Sequence, residues 1–330
     1  MQNRLSRLIQ ARAENVMNDQ PVELSFLEEG QDFPLVIKPR YAGLRLEEWT
    51  KDNTGVLYDY LNKYGAVLFR KFQIDKVQKF QDFIAAFDAQ PLEYKQRSSP
   101  RYEVAKNIYH STTYPADQHI NMHSENSYAR KWPMKIVFCC IEPSSEQGQT
   151  PIADNRKVLD LLPHATKEKF LGSGVRYVRN ITKGIGLPWQ EVFQTDKKEV
   201  VEEECRNNGM QFSWEGTDCL TLSWNNKAIH DHPVTGRQVW FNHAFFFNKY
   251  LYHEDVLSSI RSDKDLPFNT YYGDGTEITK EEIEEIRMAY EQSTIVFSWE
   301  KGDVLFMDNM LASHGRRPYK GSREIIVSMF

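Results

Sequence analysis

Short apolar runs of strand length dominate the second half of this 330-residue chain and limit the folds it can adopt. Apolar runs of about four to eight residues, alternating or continuous and bounded by turn residues, are typical of β-strands. Such runs occupy residues 175–181, 210–214, 219–224, 239–247, 294–299, 303–307 and 323–329. A chain that ends in this succession is predicted to form a mainly β fold, either a sandwich or a jelly roll.

Helical patterns lie in the first half and between the later strands. Residues 77–87 place apolar side chains on one helical face, and residues 279–292 begin at Thr279 with Glu282 completing a capping box. Shorter helices are predicted at 158–162, 167–171 and 197–208, and strands at 66–69 and 134–141. No repeat or linker divides the chain. We therefore expect residues 1–60 to form a helical or extended segment packed on the core, and 61–330 to form one jelly-roll domain with helical insertions.

Charge and composition exclude several functions. The net charge of −5 does not favour binding to nucleic acid or to an anionic membrane, and no apolar stretch approaches the roughly 20 residues that cross a bilayer. The amphipathic pattern near Leu5 and Leu8 predicts an N-terminal helix rather than an organellar presequence. Four cysteines without a CxxC pair indicate reduced thiols and a cytoplasmic location.

A candidate metal site is formed by His123, Glu125 and His314. Residues two apart on a strand point to the same face, so His123 and Glu125 can take adjacent positions on one metal. The pair alone is a weak signal, since two solvated loop residues would give the same pattern. His314 follows a turn and an apolar strand, and supplies the third ligand. Two histidines and one carboxylate leave open positions, as oxygen-activating Fe(II) enzymes require.

An anionic co-substrate at the open face would need a fixed cation. Arg323 lies nine residues after His314, and its planar guanidinium suits a carboxylate. Thr150 offers a hydroxyl to complete this clamp.

Several stretches together resemble the taurine dioxygenase superfamily. They are closest to its branch of hydroxylases for amino acids and carrier-protein-bound amino acids, the syringomycin-biosynthesis-type and clavaminate-synthase-like oxygenases. The resemblance spans roughly residues 60–330, and the order and spacing of the motifs agree throughout. The matching stretches are AVLFRKF (66–72), NMHSENSY (121–128), KIVFCCIEP (135–143), GQTPIAD (148–154), VWFNH (239–243), KGDVLFMDNMLASHGRRPYKGSR (301–323) and EIIVSMF (324–330).

This resemblance implies a double-stranded β-helix that uses Fe(II), 2-oxoglutarate and O2. It implies that His123, Glu125 and His314 hold iron, while Thr150 and Arg323 bind the 2-oxoglutarate carboxylate. Many family members have aspartate where this chain has Glu125, and glutamate is found in the clavaminate-synthase-like branch. The interval from His314 to Arg323 is slightly shorter than in taurine dioxygenase, so Arg316 or Arg317 stays an alternative for the carboxylate.

Two further residues are predicted to bind substrate. Arg316 offers a cation beside His314, and Asn242, on the predicted strand 239–247, offers a carboxamide inside the barrel. The segment His230–Asp231–His232 is predicted to be a loop with a possible substrate contact, because turn residues follow it. Taurine cleavage would need an arginine four residues beyond Arg323, where this chain has Val327.

The predicted function is hydroxylation of an aliphatic carbon in an amino acid, or in an aminoacyl group on a carrier protein, within natural-product biosynthesis. Desaturation, cyclisation and epoxidation use the same cofactors and remain alternatives. A metal-binding jelly-roll sensor is the alternative from another class, although a sensor would not need Thr150 and Arg323. The sequence leaves the exact substrate and the oligomeric state open.

Overall fold

Eight α-helices flank the sheets in the part of the chain that the computed structural model describes, residues 20–87, 103–112, 114–182 and 186–330. The predicted N-terminal helix lies outside these ranges. Two one-turn 3-10 helices, Lys249–Leu251 and Asp263–Asp265, accompany the α-helices. The α-helices are α1 (Leu46–Tyr64), α2 (Val77–Ala85), α3 (Asn155–Leu161), α4 (His164–Ser173), α5 (Trp189–Phe193), α6 (Lys198–Asn207), α7 (Glu254–Ser259) and α8 (Lys280–Ser293).

The largest sheet has eight strands in the order β1-β2-β3-β17-β7-β20-β5-β4. Its pairs are antiparallel except for β2 and β3, which run parallel. The strands are β1 (Val22–Ser25), β2 (Leu35–Pro39), β3 (Ala66–Phe69), β4 (Glu103–Ala105), β5 (Ile108–His110), β7 (Lys135–Glu142), β17 (Val304–Asp308) and β20 (Glu324–Met329).

A four-stranded sheet packs against one face of the large sheet, in the order β16-β9-β18-β6. The strands are β6 (Ile120–His123), β9 (Ile152–Asp154), β16 (Thr294–Ile295) and β18 (Ala312–Arg316). Alternation along β7 sends Ile136 and Phe138 into the core between these sheets, and sends Val137 and Cys139 towards α1 and α2 on the other face. The large sheet is therefore buried on both faces, with the small sheet covering only one of them.

A second four-stranded sheet, β11-β12-β10-β15, carries its own apolar cluster together with α3, α4, α5, α6 and α8. The two remaining sheets are two-stranded ribbons, β13-β14 and β19-β8. The strands are β8 (Glu146–Gln147), β10 (Val175–Ile181), β11 (Gln211–Glu215), β12 (Cys219–Asn226), β13 (Ile229–Asp231), β14 (Gln238–Trp240), β15 (Phe268–Tyr272) and β19 (Tyr319–Lys320).

The prediction of a mainly β fold with flanking helices is confirmed. Strand β10 coincides with the predicted residues 175–181, and the Thr279–Glu282 capping box is present at the start of α8. The predicted strand 239–247 is wrong, because the strand ends at Trp240, and strand 294–299 shortens to two residues.

The division at residue 60 stays a prediction. Strand β2 pairs with β3 across that position, and α1 runs through it. In the described part of the chain, no helix combines the length and the apolar character that crossing a membrane requires.

Candidate functional site

Two neighbouring strands of the small sheet bring the predicted metal ligands together. His123 ends β6 and His314 lies in β18, and the two residues are register partners. Glu125 lies in the turn after β6 rather than on the strand, so its position does not come from strand alternation. Each of the three residues offers one ligand atom, and these atoms all lie within 4.8 Å of one another. The cluster is mostly buried, with Glu125 5% exposed and His314 7% exposed.

Two buried asparagines hold the turn that carries Glu125. The carboxamide of Asn309 accepts a hydrogen bond from Glu125 N at 2.8 Å, and donates to Glu125 O and Pro133 O, each at 2.8 Å. Asn155 Nδ2 donates to the Ser124 hydroxyl at 3.0 Å. Both asparagines are 0% exposed. Because Asn309 follows β17 and Asn155 opens α3, the position of Glu125 depends on two distant parts of the chain.

The donor set fits a divalent transition metal such as iron. His123 Nδ1 lies 2.9 Å from Asn121 O, and a carbonyl oxygen can only accept, so the ring proton is on Nδ1. That tautomer leaves the Nε2 lone pair available for a metal, as is usual where a backbone group orients a ligating histidine. Two imidazoles and one carboxylate match the facial arrangement typical of non-haem Fe(II) oxygenases.

The predicted 2-oxoglutarate residues also lie together. Arg323 Nε donates to Gly148 O at 3.0 Å, and its Nη2 lies 3.4 Å from Thr150 Oγ1. Trp299 Nε1 donates to the same hydroxyl at 3.0 Å. Burial, together with the positive charge of Arg316, lowers the pKa of Arg323 to about 10. The guanidinium therefore remains charged at neutral pH, in surroundings where a carboxylate would be a favourable partner.

Arg316 is 3% exposed and most of its donors are already used. Its Nη1 donates to Tyr114 O at 2.8 Å, and its Nη2 donates to Pro115 O at 2.5 Å and to Gln118 O at 2.7 Å. The side chain thus fixes the segment at the edge of the site. Its Nε is buried, with no hydrogen-bond partner among the described residues. Arg317, the other alternative, is exposed.

One cavity of about 360 Å³ joins these groups. The metal-ligand cluster, Thr150, Arg323 and Arg316 all contribute to its wall. The same cavity has an apolar and aromatic wall that the sequence did not predict, formed by Tyr128, Phe246, Phe247, Leu251, Tyr252 and Phe268. A small molecule bound here would therefore contact both charged groups and aromatic rings.

His243 and Phe246 line this cavity, and sequence reasoning missed both. The Phe246 ring centroid lies 4.6 Å from that of His123. His243 Nδ1 lies 2.6 Å from Ser127 Oγ, and its backbone N donates to Tyr177 OH. Burial, and then the proximity of His123, lower the pKa of His243 well below its ordinary value, so the ring is neutral. The VWFNH stretch contains His243, but the strand predicted over residues 239–247 favoured Asn242 as the residue that points inward.

Asn242 is not among the residues that line the cavity. Its Nδ2 donates to Ala228 O at 2.8 Å, and its Oδ1 accepts from Ala244 N at 2.8 Å. The predicted inward orientation assumed a strand over residues 239–247, whereas β14 ends at Trp240. The carboxamide instead stabilises the turn that follows.

The histidines at 230 and 232 are not in a simple loop. His230 lies in β13, and His232 is buried with its Nε2 3.1 Å from Asp308 Oδ2. Lys135 Nζ donates to the same carboxylate oxygen at 2.6 Å. Burial alone would raise the pKa of Asp308, but the bond from His232 and the Lys135 ammonium hold it below its ordinary value. Neither histidine lines the cavity.

Comparison with known proteins adds a family match. Residues 30–329 match the taurine catabolism dioxygenase TauD, TfdA family. The dapdiamide synthesis protein DdaC of Enterobacter agglomerans is 38% identical over 275 residues, covering 82% of this chain and 83% of that protein. A clavaminate synthase-like protein of Arabidopsis thaliana is 28% identical over 336 residues, covering 96% of this chain and 99% of that protein.

Solved structures share the fold at low sequence identity. PvcB from Pseudomonas aeruginosa, described as an Fe, alpha-ketoglutarate dependent oxygenase from an isonitrile synthetic pathway, superposes with a TM-score of 0.56 at 15% identity, covering 94% of this chain and 92% of that chain. AAD-2, solved with Mn(II) and N-oxalylglycine, gives a TM-score of 0.55 at 14% identity, covering 94% and 97% respectively. The jelly-roll architecture expected from the sequence is thereby confirmed.

Proposed function

The chain belongs to the TauD, TfdA dioxygenase family, and from that premise we propose that it hydroxylates an aliphatic carbon of an amino-acid-like substrate. It is an Fe(II)- and 2-oxoglutarate-dependent dioxygenase acting on a small molecule. The observation that carries the residue assignments is the single cavity shared by the His123, Glu125 and His314 cluster and by the Thr150–Arg323 pair.

His123, Glu125 and His314 would hold the iron. When bound, iron supplies, together with 2-oxoglutarate and O2, the oxidising power for an unactivated carbon. The protein positions the residues that would bind the iron. Asn309 fixes the backbone of Glu125, and Asn121 fixes the tautomer of His123. Both contacts place donor atoms before any ligand arrives, which lowers the cost of ordering them on binding.

Arg323 and Thr150 would receive the distal carboxylate of 2-oxoglutarate. The arginine supplies a charge and a planar pair of donors. Trp299 orients the Thr150 hydroxyl by donating a hydrogen bond to its oxygen. Since this end of the cavity is half-buried, the ion pair would be stronger than one formed at the surface. The single negative charge of the distal carboxylate is thus matched by one fixed cation, Arg323.

The substrate would occupy the part of the cavity next to the aromatic wall. Phe246 packs against His123, so the carbon to be oxidised would lie on an apolar surface from which water is excluded. Arg316 would act on a substrate carboxylate through its charge, since its Nη1 and Nη2 bond to the segment beside the cavity and its Nε is buried. Asn242 is a weaker candidate for substrate binding, because its carboxamide is already hydrogen-bonded to backbone groups.

An amino-acid substrate within natural-product biosynthesis is supported by the resemblance to the dapdiamide synthesis protein. A carrier protein presenting the aminoacyl group, and a cytoplasmic location, belong to the same proposal. Desaturation, cyclisation and epoxidation need no different ligands, and the substrate's placement on Phe246 would decide among them. Taurine is disfavoured, because Val327 occupies the position where a sulfonate-binding arginine would be needed and is itself apolar and buried in the cavity wall.

The test is mass spectrometry of free amino acids, carrier-bound amino acids and taurine, each incubated with enzyme, Fe(II), 2-oxoglutarate and O2. A mass gain of one oxygen on an amino-acid form, coupled to succinate release, supports the proposal. A loss of two hydrogens would indicate desaturation or cyclisation. Coupled turnover with taurine and with no amino-acid form would refute the substrate assignment but leave the cofactors in place.

A further inference from the structure

Two arginines share one end of the cavity. Arg316 and Arg323 both line it, and the positive charge of Arg316 lowers the pKa of Arg323. Within the described ranges, neither guanidinium forms an ion pair with a carboxylate. Two like charges in a half-buried site repel each other, so something other than an acidic side chain must hold Arg323 in position.

Tyr319 contacts both guanidinium groups. The Arg316 Cζ lies 5.2 Å from the centroid of its ring, and the Arg323 Cζ lies 5.5 Å from the same centroid. The face of an aromatic ring carries negative charge density and attracts a cation placed over it within about 6 Å. One neutral ring therefore stabilises both cations and neutralises neither. A carboxylate in its place would neutralise one of them.

The backbone of Tyr319 is fixed next to the other contacts of Arg323. Its N–H donates to Ala116 O at 2.9 Å, and its register partner in the β19–β8 ribbon is Gln147. Gly148 follows at once and has φ +68°, and a Cβ placed there would come within 2.9 Å of the Tyr319 Cβ. The backbone and Cβ that carry the ring are thus held beside the arginine whose Nε bonds to Gly148 O.

We propose that Tyr319 is a positioning residue for 2-oxoglutarate, acting through Arg323. Its ring face keeps Arg323 aimed into the cavity against the repulsion of Arg316, while Gly148 and Thr150 fix the plane of the guanidinium. An acidic residue in this place would compete with the ligand for the arginine, whereas a ring leaves the cation free to pair with a carboxylate. This inference rests on the proposed role of Arg323.

The test is calorimetric titration of 2-oxoglutarate into the Fe(II)-loaded enzyme under argon. We expect Tyr319→Leu to raise the Kd roughly fivefold to thirtyfold, the range that a desolvated cation–π contact supplies. Tyr319→Phe retains the ring and should stay within about twofold of the wild type. If the leucine variant does not fold, Tyr319→Met replaces it, because the unbranched, flexible methionine side chain can fill the space left by the ring.

A second ligand separates positioning from general packing. 2-Oxopentanoate has a methyl group where 2-oxoglutarate has its distal carboxylate, so its weaker binding does not use Arg323. The Kd for 2-oxopentanoate and the Kd for Fe(II) should be unchanged in Tyr319→Leu. Equal loss of affinity for both oxoacids would show that the ring only supports packing, and would overturn the proposal.

The control is Phe212→Leu. Phe212 has Arg206 Cζ 5.4 Å from its ring, and it lies on β11, away from the cavity. This variant loses a similar cation–π contact and should keep wild-type affinity for 2-oxoglutarate. If Arg323→Ala binds 2-oxoglutarate as tightly as the wild type, the proposed co-substrate site fails and this inference with it. If Arg323→Ala loses binding while Tyr319→Leu keeps it, only the role of Tyr319 is refuted.

Discussion

Replacing Asn309 by alanine tests whether the metal site depends on the buried hydrogen bonds around Glu125. The substitution removes three bonds of 2.8 Å, two to the backbone of Glu125 and one to Pro133 O. It removes the bond that Asn309, itself 0% exposed, makes to each of one N–H and two carbonyl groups. A buried polar group left unpaired costs about 1–3 kcal/mol.

For the three groups together this cost is roughly 3–9 kcal/mol. The expected loss of stability is about 3 kcal/mol, at the low end of that range, because water can enter the space left by the carboxamide. For a chain of this size, that loss corresponds to a fall in Tm of roughly 4 °C. Partners that orient a metal ligand typically contribute tenfold to a hundredfold in metal affinity. We therefore expect the Kd for Fe(II) to rise by about that factor while the variant remains folded.

The assay combines calorimetric titration of Fe(II) under argon with thermal unfolding of the metal-free protein. Asn180→Ala is the matched control, because Asn180 is also buried and donates to two backbone carbonyls, Asp263 O and Leu266 O, away from the cavity. It should lower Tm without changing Fe(II) affinity. Wild-type Fe(II) affinity in folded Asn309→Ala would refute the idea that this side chain positions the ligand.

Three further outcomes are expected. Alanine at any of the three proposed metal ligands should abolish turnover with little change in circular dichroism, and full activity of His314→Ala would remove the metal assignment. Arg323→Ala should weaken 2-oxoglutarate binding by about 3 kcal/mol and Thr150→Ala by about 1 kcal/mol, measured by calorimetry. Unchanged affinity in Arg323→Ala would move attention to Arg316 or Arg317. Because the pKa of Asp308 is lowered in the folded protein, its carboxylate stabilises the fold above the ordinary pKa of about 3.9, and this contribution is lost as pH falls through the lower folded value. In urea unfolding, the stability advantage of wild type over Asp308→Asn should therefore be largest near neutral pH and shrink in acid, and a constant difference would contradict this.

Local patterns in the sequence were sufficient to predict the helices and strands whose buried residues recur at a regular spacing. The alternation of residues 175–181 became β10 without a change of boundary, and the cap at Thr279 began α8 as expected. The candidate ligands were also named from the sequence, where the weak His123–Glu125 pair was supported by His314 after an apolar strand and by the family resemblance. These features depend on neighbours in the chain, which a sequence displays directly.

Tertiary structure decided which of these residues meet and what each one contacts. Pairing of β6 with β18 places His123 opposite His314, and no local pattern encodes that register. Which of Asn242 and His243 lines the cavity depended on where the strand ends. It stops at Trp240, although the apolar pattern continues, because packing overrides apolar periodicity there. The donors of Arg316 are used by backbone carbonyls that lie far from it in sequence. A sequence shows which groups a chain carries, but a side chain's partners are set by long-range packing, and those partners determine whether a group binds a ligand or holds the fold.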